Sequence, residues 1–195
     1  MKKILLALLL AFTCVISLGG CATTDKSTSG SEKLSDDLLS FQVSIDGTVH
    51  QFPMPASDFK ALGWTYEDDE SQTLSPNQTT TLGSWEKDDI SLSVKMANPT
   101  SDTVTTDECI ITGISLDSYD FEECNWDIIL PKNIQLNVSS KEDIIAAYGN
   151  PTRESDLSGY YFLTYESDFL HKIVLLVNKE TNILERIEID NVIVH

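Results

Sequence analysis

The chain has 195 residues and carries 31 Asp and Glu against 13 Lys and Arg, a formal net charge of −18. So acidic a surface repels nucleic-acid phosphates and anionic head groups, which argues against a nucleic-acid binder and favours cationic partners or plain solubility. The length allows one good hydrophobic core or two small ones.

Lys2 and Lys3 precede an apolar run from Ile4 to Ile16, broken only by Thr13. A spanning helix needs about 20 apolar residues, so the run reads as a signal peptide over residues 1–20. Leu18-Gly19-Gly20-Cys21 closes it and resembles the lipobox of bacterial lipoproteins. The resemblance implies cleavage before Cys21 and a diacylglycerol thioether on its thiol. The competing reading is an ordinary secretory leader with a chance cysteine. Two or three acyl chains hold far better than one myristoyl chain. The expected location is therefore the outer face of the cell membrane, with the lipid on Cys21 as the membrane contact. Loss of the leader removes Lys2, Lys3 and no acid, taking the charge from −18 to −20. Cys14 leaves with it.

Residues 21–38 are rich in Ser, Thr, Gly, Asp and Lys and read as a flexible tether. Phe41, Val43 and Ile45 alternate with polar residues, and Asp46-Gly47 then leads to a second extended run, Thr48 to Phe52. This predicts a β-hairpin. Pro53 and Pro55 end it. Ser57 or a neighbour caps a short helix, with Phe59 and Leu62 on one face and Gly63 behind it. Trp64 and Tyr66 lead into the acidic run Glu67–Glu70. Thr79–Trp85 is extended. Ile90, Leu92, Val94 and Met96 alternate with polar residues and mark a half-buried strand. Cys109–Leu116 and Trp126–Leu130 are further strands, with the acidic loop Asp117–Glu123 between them.

Ser139 with Glu142, or Ser140 with Asp143, forms a capping box for a helix that Gly149 and Pro151 stop. Three strands follow: Gly159–Tyr165, Leu170–Asn178 and Ile183–Asp190. The middle one is apolar on both faces and reads as central. The last sets Ile187 and Ile189 opposite Arg186, Glu188 and Asp190.

Phe59–Trp64 and Ile145–Asn150 look alike, each a short helix stopped by glycine and followed by about three strands. The fold expected is α+β: antiparallel sheets with short helices packed on one face. It reads as two similar helix-plus-three-strand modules in tandem, residues 39–131 and 132–195. Ser140–Thr152 resembles the helix-to-strand unit of the β-lactamase-inhibitor-protein-like fold. Val43–Gly47, Pro53–Pro55, Gly63-Trp64 and Asn98-Pro99 extend the likeness to a set of uncharacterised lipoproteins of Gram-positive bacteria. That resemblance covers most of residues 39–191. It implies protein–protein binding through the open face of a curved sheet, and it brings no functional residues with it.

Cys109 and Cys124 remain after the leader and lipid site. In an exported protein they form a candidate disulfide, or else two separate buried thiols. No Cys-x-x-Cys, nucleophile elbow, Ser-x-x-Lys or phosphate loop appears, and His50, His171 and His195 have no obvious nucleophile beside them. The acidic runs lack calcium-loop spacing. No catalytic, metal or cofactor residues are assigned. The stronger lead is aromatic: Trp64, Tyr66, Trp85, Trp126 and Tyr160 are candidate partner-binding side chains, since such residues dominate interface hot spots. Tyr160 and Phe162 lie opposite Tyr161, Leu163 and Tyr165 on one strand, so something must cover each face. The function expected is a non-catalytic, monomeric, lipid-anchored binding or assembly module with a protein or cell-wall partner. The alternatives are an envelope spacer or immunity-type lipoprotein, and an extracytoplasmic hydrolase using carboxylates.

Overall fold

The chain was analysed as a computed structural model, which describes residues 33–67 and 72–193, without the side chains of residues 81–83. The leader, Cys21, the first part of the tether, most of the acidic run after Tyr66 and His195 lie outside the described residues.

The strands, in chain order, are β1 (Gln42–Ile45), β2 (Thr48–Gln51), β3 (Met54–Pro55), β4 (Thr65–Tyr66), β5 (Thr73–Leu74), β6 (Thr79–Lys87), β7 (Ile90–Ala97), β8 (Val104–Thr105), β9 (Ile110–Asp117), β10 (Ile128–Leu130), β11 (Ile134–Gln135), β12 (Arg153–Leu157), β13 (Tyr160–Glu166), β14 (His171–Asn178) and β15 (Leu184–Asn191). Two α-helices accompany them among the described residues, α1 (Ala56–Ala61) and α2 (Lys141–Tyr148). The α+β class holds, with antiparallel sheet as the dominant part.

Local chemistry accounts for several elements. Asp46 and Gly47 both take positive φ, 47° and 74°, as a tight two-residue hairpin turn requires. In β7 the residues Ile90, Leu92, Val94 and Met96 are buried, while Ser91 and Ser93 are exposed. Ser140 and Asp143 close the capping box of α2, each side chain accepting from the other's backbone N–H. Gly149 ends that helix at φ 79°. The start of α1 differs from expectation: Pro55 precedes it and no side chain caps it. Pro55, with φ −57°, takes the N-cap position where a side-chain cap from Ser57 or a neighbour was expected.

The main sheet runs β12-β13-β14-β15-β9-β7-β6-β4, with β3 also pairing β9. A smaller sheet runs β11-β10-β1-β2, and β5 pairs β8. One face of the main sheet carries the core. Leu163, Leu175, Ile187 and Leu116 stand side by side across four strands, and Tyr165, Ile173, Ile189, Ile114 and Val94 form the next row. The covering layer on this face is α1, α2 and the smaller sheet. Phe59 of α1 meets Trp85 and His50, and Tyr148 of α2 meets Tyr165, all ring to ring. The described residues share one core: β10 pairs β11 across residues 131–132, and Phe41 packs against His171.

Four strands rather than three follow α2, because β12 joins ahead of β13. All five of its residues are exposed, so it carries no apolar alternation to reveal it. It is an edge strand, and the charges that conceal it in the sequence also guard that edge.

Candidate functional site

The structure separates the five candidate aromatics. Trp64, Tyr66 and Trp85 are buried, at 1%, 6% and 0% exposure, and present nothing to a partner. They build the core beneath α1 instead. Phe59 stacks on Trp64 with centroids 5.1 Å apart, and Trp85 meets Phe59 edge-on at 5.3 Å. Trp126 is half-buried against Trp64, and the Lys87 ammonium lies 5.6 Å from its ring centre. Of the five, Tyr160 alone lies on the uncovered face of the main sheet.

His50 belongs to the same core. Trp64 Nε1 donates to its Nε2 at 3.3 Å, so Nδ1 carries the proton and donates to the Thr48 carbonyl at 2.9 Å. Burial pulls its pKa down to about 4; the Thr48 bond opposes this, and the Lys87 charge adds to it. It is a structural imidazole. His171 pairs with Asp168 in an exposed turn, Nδ1 to Oδ1 at 2.7 Å.

Cys109 and Cys124 are free thiols, not a disulfide. Cys109 stands just before β9 and Cys124 beyond the tight turn Ser118–Phe121 that follows it. An eight-residue strand spans about 26 Å, and a disulfide needs Cα atoms within about 7 Å. Each thiol instead donates to a nearby carbonyl, of Thr105 and Phe121 respectively. Burial pushes the Cys109 pKa up to about 11, with Glu108 adding to the shift.

The second face of the main sheet has no helix or sheet packed over it among the described residues. The strand register gives its side chains in rows. Ser93, Ser115, Glu188, Val174, Thr164 and Arg153 cross six strands in one row. Beside it run Asp117, Arg186, Leu176, Phe162 and Ser155, and on the other side Lys95, Gly113, Asp190, Lys172 and Glu166. Charges here largely pair with one another. Lys95 and Lys172 both reach Asp190, Arg186 Nε donates to Asp117 at 2.6 Å, and Arg153 lies 3.6 Å from Glu166.

Two hollows open on this face. One, of about 260 Å³, lies over Ser93, Lys95, Ser115 and Glu188. The other, of about 230 Å³, has an apolar floor of Tyr160, Phe162 and Leu176 and a polar rim of Asp117, Glu185 and Arg186. Tyr160 donates its hydroxyl to Glu185 at 2.9 Å, which raises the Tyr160 pKa. The exposed Leu157 continues the apolar strip at the rim, opposite Tyr160.

The opposite side of the molecule carries the N-terminal segment. Lys33, Leu34 and Asp36 share a hollow of about 430 Å³ with Ser44, Val49 and Ile129, which lie on the outer face of the smaller sheet. Chain entry and open face thus lie on opposite sides of the two layers.

Among the described residues no cluster of three His, Cys, Asp or Glu forms a metal site, and no helix is long and apolar enough to cross a membrane. Raised carboxyls lie apart from the hollows' floors. Glu86 is raised by its hydrogen bond with Glu67, and Asp120 by burial. No family model, curated protein or solved structure matches the chain.

Proposed function

We propose that the protein is a lipid-anchored, non-catalytic binding or assembly module on the outer face of a Gram-positive bacterial membrane. Its anchor is the thioether on Cys21, its tether the part of residues 21–38 ahead of Leu38, which is itself buried in the core, and its contact surface the open face of the main sheet. It acts as a monomer on that anchor and engages a protein or cell-wall partner.

One observation carries the reading. A sheet of this width has one face covered by helices and strands and, among the described residues, no layer over the other, where an apolar strip and a polar hollow lie side by side. Aromatic and aliphatic floors with polar rims are the usual makeup of recognition surfaces. The entry of the chain on the far side supports it: a tether leaving from there holds the bare face away from the membrane.

The sheet order also supports the finer fold reading. Helix α1 leads into β4, β6, β7 and β9, and α2 leads into β12, β13, β14 and β15. The two runs meet at their last strands, β9 beside β15. We read them as two similar modules in tandem, residues 39–131 and 132–195, of the β-lactamase-inhibitor-protein-like kind, with four strands each in the joint sheet.

Two assays test the proposal. Growth with an alkyne fatty acid should label the wild type and leave Cys21→Ala unlabelled and released from the membrane. A photoreactive residue at Ser155, exposed on the rim of the open face, should capture a reproducible envelope partner. A membrane-bound, unlabelled Cys21→Ala protein contradicts the anchor. Absence of capture from every open-face position favours the spacer alternative.

A further inference from the structure

The open face also limits the chemistry of whatever docks there, and this step rests on the reading of that face as the contact surface. Glu188 stands near the middle of the sheet, on β15 between β14 and β9. It is half-buried, and among the described residues its carboxylate takes no hydrogen bond or ion pair; it feels Arg186 only through space. The cations around it are already committed. Lys95 and Lys172 reach Asp190, and Arg186 is held by Asp117. The hydroxyl-bearing Ser93 and Ser115 line the hollow beside it.

A partner that covers the centre of this face strips water from Glu188. A carboxylate desolvated without a counter-charge is heavily penalised, and among the described residues no cation of the sheet contacts Glu188; Lys95 and Lys172 share Asp190 instead. A counter-charge brought by the partner removes that penalty. We infer that the partner is a protein segment that places a Lys or Arg side chain over Glu188 and an apolar side chain in the Tyr160–Phe162–Leu176 hollow. Arginine suits the polar hollow best, because a guanidinium can give two N–H groups to Glu188 and others to the serine hydroxyls.

The register sets the spacing. Glu188 and Arg186 are two residues apart on one strand, about 7 Å, and Leu176 lies one strand over, about 5 Å. Glu188 is thus about 8–9 Å from the near edge of the floor at Leu176, two or three residues along an extended segment. The net charge of the mature chain, −18 less the two lysines of the leader, or −20, steers a basic segment toward the protein before contact. An uncharged wall glycan can lay a sugar ring on the aromatic floor but brings no counter-charge for Glu188.

The experiment uses the mature chain in its native envelope, with benzoylphenylalanine at the exposed Ser155 on the rim of the face and the crosslinked peptide mapped by mass spectrometry. The mapped segment should carry Lys or Arg two or three residues from a large apolar residue. Glu188→Gln should lower the yield at least tenfold and Glu188→Lys should abolish it. Changing the mapped base of the partner to Glu should restore capture by Glu188→Lys. Glu188 makes no contact that folding needs, so unchanged melting of both variants confirms that only the surface was altered. Equal yields from wild type and Glu188→Lys, a segment without a base, or a polymer adduct would overturn the inference and leave the face as contact surface. No adduct from any position on the face would overturn the underlying reading as well.

Discussion

His50, held neutral between Thr48 and Trp64, makes stability depend on pH. Its folded pKa is about 4 against 6.5 for the free group. Above pH 6.5 neither state takes up a proton there, and this stability is fully present. From pH 6.5 down to about 4 the unfolded chain binds a proton that the folded chain refuses, so stability falls; below about 4 the loss levels off, at roughly 3 kcal/mol. Urea melts at pH 7, 5.5 and 4.5 should show a shallower acid loss in His50→Gln than in wild type. The thiols offer a second test at this scale. Half-buried Cys124 should label with maleimide in the native state and buried Cys109 only after denaturation; an intact mass two units low under non-reducing conditions would restore the disulfide. Gly113 offers a third. A Cβ there would press on the Ile189 carbonyl oxygen and sit 3.0 Å from Asp190 Oδ1. Gly113→Ala should cost about 1–3 kcal/mol, read as a lowered melting temperature.

At the scale of elements, the parts that sequence reading found are those with local causes. The Asp46-Gly47 hairpin, the β7 alternation and the Ser140–Asp143 box each depend on residues a few positions apart. Ser140→Ala removes an acceptor for the Asp143 N–H and should cost about 1 kcal/mol, a fall of about 2–4 °C in a chain of this size. Elements without a local cause were missed. β12 has no apolar residue before Leu157 and exists because β13 offers it an edge. The aromatic candidates failed for a related reason: Trp64, Tyr66 and Trp85 flank a six-residue helix that cannot bury a core alone, so their rings fill the gap between it and the sheet. Period and spacing say that an aromatic faces inward or outward, but not whether another layer arrives to cover it. The disulfide failed because a separation of 15 positions says nothing of the extended strand lying inside it.

At the scale of the molecule, the two faces of the main sheet divide the labour. One is consumed by α1, α2 and the smaller sheet; the other keeps Glu188, the serine hydroxyls, Tyr160 and Phe162 in reach of solvent, with Leu176 buried in the floor beside them. The alternation of Arg186, Glu188 and Asp190 against Ile187 and Ile189 was visible in the sequence, so the polar side of β15 was legible. That this side joins those of β7, β9 and β14 into one surface was not, because the pairing of β9 with β15 links strands some 70 residues apart. The most direct test of the central claim is partner binding by three purified mature variants: Ser93→Arg and Ser115→Arg on the open face, and Asp36→Arg beside the point of chain entry. The two open-face variants should lose at least tenfold in affinity while Asp36→Arg binds as wild type does. Loss confined to Asp36→Arg, with both serine variants unaffected, would contradict it.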